Sequence, residues 1–208
     1  KQLANLFKRR CGVGLDISEL RPDGAEVNNS AGTTTGAWSF ADFYSYVCRM
    51  IGQNGRRGAL MITMDIRHPD VEQFVTMKHD LTKVTGANVS VKINDDFMEA
   101  VENNDTFTLQ FPIDSDNPTH TKEINAVELW DKIIHSATKT AEPGLMMWDN
   151  ITRELPAEEY SDVGFKTITT AFTRGNPRSK FFPKTDTILT AISPSSTIEA
   201  GIVRTTPS

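Results

Sequence analysis

The sequence predicts an α/β fold with parallel strand pairing. Short apolar runs and amphipathic segments alternate along residues 1–150 at the spacing of strand–helix units. Ala59 to Met64 is a continuous apolar run, as a strand buried on both faces requires. Arg21-Pro22-Asp23-Gly24 carries the Pro-Asp-Gly chemistry of a turn between such units. About five strands are expected by residue 150, which is half of a larger barrel or one open sheet. Ligands of open α/β folds sit at the carboxyl ends of the strands.

In chain order, Leu3 to Lys8 reads as the end of an amphipathic helix and Val13 to Ile17 as the first strand. Residues 28–37 are small and polar, a loop able to lie close to a ligand. Ser39 is expected to cap a helix from about Phe40 to Ile51, with Phe43, Val47, Met50 and Ile51 at helical spacing. Pro69 is placed near the first position of a helix reaching about Met77, with Val71, Phe74, Val75 and Lys78 on its buried face. Asn88 to Ile93 alternates as a strand does. Asp95 to Glu102 reads as a helix capped by Asn94 or Asp95, and Phe107 to Phe111 as a strand. Ala126 to Thr140 is a longer helix with Val127, Trp130, Ile133, Ile134 and Ala137 on one face, and Leu145 to Trp148 follows as a strand. From about Lys166 the residues turn Thr-, Ser- and Pro-rich, as in a linker, a disordered end or sequence translated out of frame.

Composition narrows the class. A net charge of −5 argues against a dedicated nucleic-acid binder, whose footprint is basic. No apolar run approaches the roughly 18–20 residues that span a bilayer. Leu3 to Phe7 is too short for a signal peptide and runs into Lys8-Arg9-Arg10 on the wrong side. Neither nucleic acid nor membrane is therefore expected as a partner. Cys11 and Cys48 lack any paired spacing, which fits a reducing, cytoplasmic setting. The chain begins at Lys1 inside a helical segment and reads as a fragment.

Residues 51–60 are the densest functional signal: three glycines, two adjacent arginines and an amide pair between a helix and a strand. Glycine lets backbone N–H groups approach a ligand, and arginine offers a planar fork that suits phosphate. The segment reads either as a loop over an anionic, nucleotide-scale ligand or as a solvated turn. The four histidines, His68, His79, His120 and His135, share no metal-ligand spacing and read as surface or core residues. Asp95-Asp96 and Glu158-Glu159 read as helix N-terminal charge. Cys48 reads as a small buried residue. Cys11 follows three basic residues that could lower its pKa, or is structural.

Arg9-Arg10-Cys11-Gly12-Val13-Gly14-Leu15-Asp16-Ile17-Ser18-Glu19-Leu20-Arg21-Pro22 resembles a G-x-G…S-x-L-R-P motif of ribonucleotide reductase catalytic chains. Ser30 to Gly36, Phe40 to Tyr46, Gln53 to Ala59, His79 to Val91 and Thr140 to Gly144 continue the likeness in order. The resemblance covers about residues 1–170 and is nearest to the adenosylcobalamin-dependent branch. It implies that the chain supplies part of the first half of the family's ten-stranded α/β barrel, with a divergent stretch at 171–208. It implies that Gly12 contacts the substrate nucleotide through its backbone. Arg21 matches an arginine that holds a phosphate of the deoxynucleotide or ATP effector. Pro22 to Asn29 matches the first specificity loop, with Asn28 where some relatives carry a second arginine. Gln53, Asn54, Gly55, Arg56, Arg57 and Gly58 match the second specificity loop, between effector and substrate base.

The implied chemistry is thiyl-radical reduction of the ribose 2′-hydroxyl, with adenosylcobalamin as cofactor, a thioredoxin-type reductant and a possible homodimer. The family carries its radical cysteine in an N-P-C-S-E motif. This chain reads Asn176-Pro177-Arg178-Ser179-Lys180 there, and Arg178 cannot form a thiyl radical. The expectation is a reductase fragment with no catalytic residue and no metal site of its own. A non-catalytic nucleotide-binding module and a fragment of an iron-dependent large subunit are the alternative readings.

Overall fold

The computed structural model describes residues 2–9, 11–28, 30–51, 58–154, 165–167 and 202–204. Its elements in order are α1 (Gln2–Lys8), β1 (Gly12–Asp16), α2 (Ala37–Met50), β2 (Ala59–Asp65), α3 (Val71–Thr76) and a 3-10 turn at Met77–His79. There follow β3 (Asn88–Ile93), α4 (Asp95–Asn103), β4 (Thr106–Phe111), β5 (His120–Asn125), α5 (Ala126–Thr140), β6 (Gly144–Met147) and α6 (Trp148–Glu154). Two short strands, β7 (Phe165–Thr167) and β8 (Ile202–Arg204), pair antiparallel.

The central sheet has the order β1-β2-β3-β6, and all three of its strand pairings are parallel. The expected α/β class holds. The sheet is an open arc among the described residues, and β6 leaves Leu145 and Met147 exposed at its edge. Val13, Leu15, Ile62, Met64, Val89, Val91 and Ile93 fill the core from β1 to β3. β3 is buried along all but its first residue, so its alternating sequence is covered on both faces.

Phe107 to Phe111, the fourth of the expected strands, does not join this sheet. β4 pairs antiparallel with β5 in a separate hairpin. Phe107 and Leu109 are buried while Thr106 and Thr108 are exposed, so β4 has one dry face only. Phe107 meets Phe97 edge to face, with centroids 5.0 Å apart. β5, His-Thr-Lys-Glu-Ile-Asn, is too polar to announce itself as a strand. Its pairing is tertiary information.

Other boundaries shift for physical reasons. α2 begins at Ala37, not Phe40, and Ser39 is not its cap: the cap position is Gly36, which has no side chain to offer. The buried face of α2 is made by Ala37, Ala41, Ser45 and Cys48, whereas Phe43 and Met50 are 58% and 62% exposed. Small residues let the helix lie close to its neighbours, and the large apolar ones are left outside. In α5 the buried residues are Ala126, Leu129, Ile133 and Ser136, and Ile134 faces out. Its cap, Asn125, accepts the Glu128 N–H. Pro69 precedes the cap position of α3, Asp70. Val71, Phe74 and Val75 are buried as expected. The first turn of α4 carries Asp95 and Asp96 as read, while Glu158-Glu159 and the 176–180 segment lie outside the described residues.

Candidate functional site

The carboxyl ends of β1, β2 and β3 converge on a buried charged framework. Ser18 donates both its N–H and its hydroxyl to Asp16 Oδ1, at 3.0 and 2.5 Å, and Asp65 N–H donates to Ser18 Oγ at 2.8 Å. Lys92 Nζ lies 2.5 Å from Asp16 Oδ2 and 3.8 Å from Asp65 Oδ2, and 4.9 Å above the Trp148 ring. Arg67 grips Asp65 in a two-pronged pair at 3.0 and 3.2 Å. Two carboxylates and two cations thus balance. Burial alone pushes the Asp65 carboxyl up, but the Arg67 hydrogen bond and the Lys92 charge outweigh it and hold it below its ordinary range. Burial pulls Lys92 down, yet Asp16 and Asp65 more than offset this and raise it.

Beyond β1 the chain rises into a hairpin. The Ala25 N–H donates to Pro22 O at 3.1 Å, and Gly24 adopts φ 78° to close that turn. Gly24 N–H to Thr34 O, Thr34 N–H to Ala25 O and Val27 N–H to Gly32 O zip residues 24–34, with Glu26 opposite Thr33. Arg21 lies at the foot and Asn28 near the tip, both exposed. At the base, the Asp70 carboxylate accepts the Asp23 N–H at 3.0 and 3.2 Å and the Ala37 N–H at 2.9 Å. His68 Nδ1 accepts the Asp70 N–H at 3.0 Å, which leaves the proton on Nε2 to donate to Leu20 O at 2.8 Å. Burial pushes the His68 pKa down against the opposing Leu20 bond and Asp70 charge, so the neutral ring is favoured.

The amino end of the sheet is different in kind. Gly12 opens β1 in register with Ala59, one residue after Gly58. A Cβ on Gly58 would stand 2.9 Å from Cys48 Sγ and 3.1 Å from Phe7 Cδ1. Cys48 is buried and burial pushes its thiol up, consistent with the expected packing role. Cys11 is half-buried, its Sγ 4.0 Å from Arg9 O. Gln53, Asn54, Gly55, Arg56 and Arg57 lie outside the described residues.

The structure therefore brings Gly12 and Gly58 together at one end, and puts Arg21 and Asn28 on one hairpin at the other, at its foot and near its tip. The first residue of α2, Ala37, is capped by Asp70 past the carboxyl end of β2, while its Cys48 reaches Gly58 at the amino end. Its 14 residues span about 21 Å at 1.5 Å per residue. Sequence reasoning missed Asp70, His68, Lys92, Asp16 and Asp65. The available signal was Asp65-Ile66-Arg67-His68-Pro69-Asp70, a dense polar run directly after an apolar strand. Among the described residues no group of three or more His, Cys, Asp or Glu could hold a metal ion.

A parallel α/β arc with a braced polar hairpin beyond the carboxyl ends of its strands is the form of an open segment of an α/β barrel. A family profile described as ribonucleotide reductase, barrel domain, matches residues 1–164, and the chain belongs to that family. It is 36% identical over 165 residues to a vitamin B12-dependent ribonucleoside-diphosphate reductase of Thermoplasma acidophilum, covering 78% of this chain and 21% of that protein. A protein of the same name from Mycobacterium tuberculosis is 36% identical over 160 residues, covering 74% and 22%. A vitamin B12-dependent ribonucleotide reductase of Streptomyces clavuligerus is 30% identical over 178 residues, covering 74% and 18%. The chain spans about a fifth of the length of these curated relatives.

Proposed function

We propose that this chain is a segment of a vitamin B12-dependent ribonucleotide reductase, and that it carries part of the substrate wall and the effector-specificity segments. The observation that carries the proposal is the family match over residues 1–164, joined to 36% identity with two reductases named for that dependence. The whole enzyme would replace the ribose 2′-hydroxyl by hydrogen and release water, drawing two electrons from a cysteine pair that a thioredoxin-type protein re-reduces. The cytoplasm, with its reduced thiols, suits that chemistry.

Within this reading, Gly12 leaves a bare backbone at the amino end against which a ribonucleotide can lie. Arg21, exposed on a braced hairpin, offers its guanidinium to a phosphate of a deoxynucleotide or ATP effector. Asn28 supplies an amide near the tip in place of a second cation. Gln53 to Gly58 would serve as the second specificity segment, relaying effector identity to the choice of substrate base. A nucleotide held within one chain would have to bridge the length of α2 to touch both Arg21 and Gly58. A second copy shortens that span. Phe40, Phe43, Tyr46 and Met50 form an exposed apolar stripe along α2, and antiparallel packing of two such stripes carries each hairpin toward its partner's amino end. This supports the homodimer.

Adenosylcobalamin would supply the radical in the whole enzyme. The reading is tested by Arg21→Ala, which is expected to weaken deoxynucleotide binding more than ribonucleotide binding in equilibrium dialysis. An unchanged deoxynucleotide affinity refutes the phosphate role.

A further inference from the structure

The hairpin carrying Arg21 is held by a residue that the proposed function does not use. Its two feet, Asp23 and Ala37, lie 14 positions apart in sequence and point their N–H groups at the same carboxylate, that of Asp70. Ala37 is the first residue of α2, and Gly36 in the cap position has no side chain to satisfy it. Asp70 supplies that cap from another element, placing a negative charge at the positive end of the helix. Because its oxygens are turned to the hairpin, Asp70 makes no side-chain cap bond to its own helix, α3. Gly36 is shaped to the contact: a Cβ there would stand 2.6 Å from Asp70 Oδ2, and its φ is 84°. One residue before Arg21, Leu20 O is held by His68, whose other ring nitrogen accepts the Asp70 N–H. Arg21 is thus fixed from both sides, at Leu20 and at Asp23, by the single turn that follows β2.

We propose that Asp70, backed by His68, is a positioning residue for the effector loop: by clasping both feet of the hairpin, at Asp23 and Ala37, it sets where Arg21 meets a nucleotide phosphate. This rests on the effector reading of Arg21 given above. It makes the loop's conformation a property of the β2–α3 turn as well as of the loop's own residues. The coupling is local and needs no ligand contact by Asp70 itself.

The test uses the chain with dTTP as probe, comparing wild type, Asp70→Ala, Asp70→Asn, Gly36→Ala and Arg21→Ala by equilibrium dialysis and by amide hydrogen exchange. Losing a cap of this kind costs on the order of a tenfold change in an equilibrium. Asp70→Ala and Gly36→Ala should weaken dTTP binding about tenfold. Both should speed exchange at Asp23 and Ala37 while β2 and β3 amides stay protected. Asp70→Asn, which keeps one carbonyl acceptor, should fall between, and it gives the reading if Asp70→Ala loses the protection of β2 and β3. Unchanged exchange at Asp23 and Ala37 overturns the clasp. Faster exchange with unchanged dTTP affinity, while Arg21→Ala weakens it, overturns the positioning role alone. If wild type does not bind dTTP, or Arg21→Ala binds as wild type does, the effector reading fails and takes the positioning role with it. The exchange data still judge the clasp in that case.

Discussion

The two ends of the β1-β2-β3-β6 sheet solve opposite problems. At the carboxyl end, Asp16, Asp65, Lys92 and Arg67 are interlocked beneath a hairpin whose feet are tied down by Asp70. Most of those bonds join segments that are close in space and distant in sequence. At the amino end, Gly12 and Gly58 open neighbouring strands without side chains of their own, and a thiol and an aromatic ring pack directly against Gly58. Rigid charge placement needs many partners, whereas close approach of a ligand needs side chains removed. One end is thus held by cross-chain charge pairing and the other by close steric packing around glycine.

The largest effect is expected at the charged end. Lys92→Met strands the buried Asp16 carboxylate and should destabilise the chain by about 3–5 kcal/mol in urea unfolding. A loss below about 1 kcal/mol would mean the framework is not the brace it looks like. At the amino end the expected cost is steric: Gly58→Ala pushes a methyl against Cys48 and Phe7 and should cost about 1–3 kcal/mol. Combining it with Cys48→Ala should recover part of that loss, and strict additivity of the two changes would show that the sulfur is not the obstacle. On the outer face of α2, Phe43→Ser should change monomer stability by no more than about 0.5 kcal/mol, since the ring is 58% exposed. The same change should lower self-association in sedimentation if the stripe pairs two copies.

A pH effect distinguishes the ends further. His68 has its folded pKa pushed below the ordinary value of 6.5, so the unfolded chain binds a proton more readily than the folded one. Its contribution is fully present above pH 6.5 and is lost as the pH falls through the folded value. Stability should therefore decline with acidification below about pH 6.5, and His68→Gln should flatten that part of the profile. A wild-type slope retained in His68→Gln would place the proton uptake elsewhere.

Much of this molecule is legible in residue order. The spans of β3 and α5 follow from periodicity and capping chemistry, and the Cys48 packing role follows from its spacing with Tyr44 and Ile51. The likeness of Arg9 to Pro22 and of the later runs to one family is likewise carried by the residues alone. The buried face of α2 is not, because hydrophobic size is a poor guide to burial there. In the fold, Ala41, Ser45 and Cys48 turn inward because small side chains permit close packing. β5 escapes a sequence reading because its polar residues pair only once β4 is beside it.

By itself, then, the sequence determined the α/β class, the family and most element spans, because these rest on local periodicity and contiguous motifs. Only the tertiary structure decided that β4 leaves the main sheet, that Arg21 and Gly58 stand at opposite ends of α2, and that Asp70 caps a helix beginning 33 residues before it. Those outcomes depend on which buried N–H groups find which carboxylate across the fold. A buried donor must be satisfied by whatever acceptor lies nearest in space, and distance along the chain does not say which one that is.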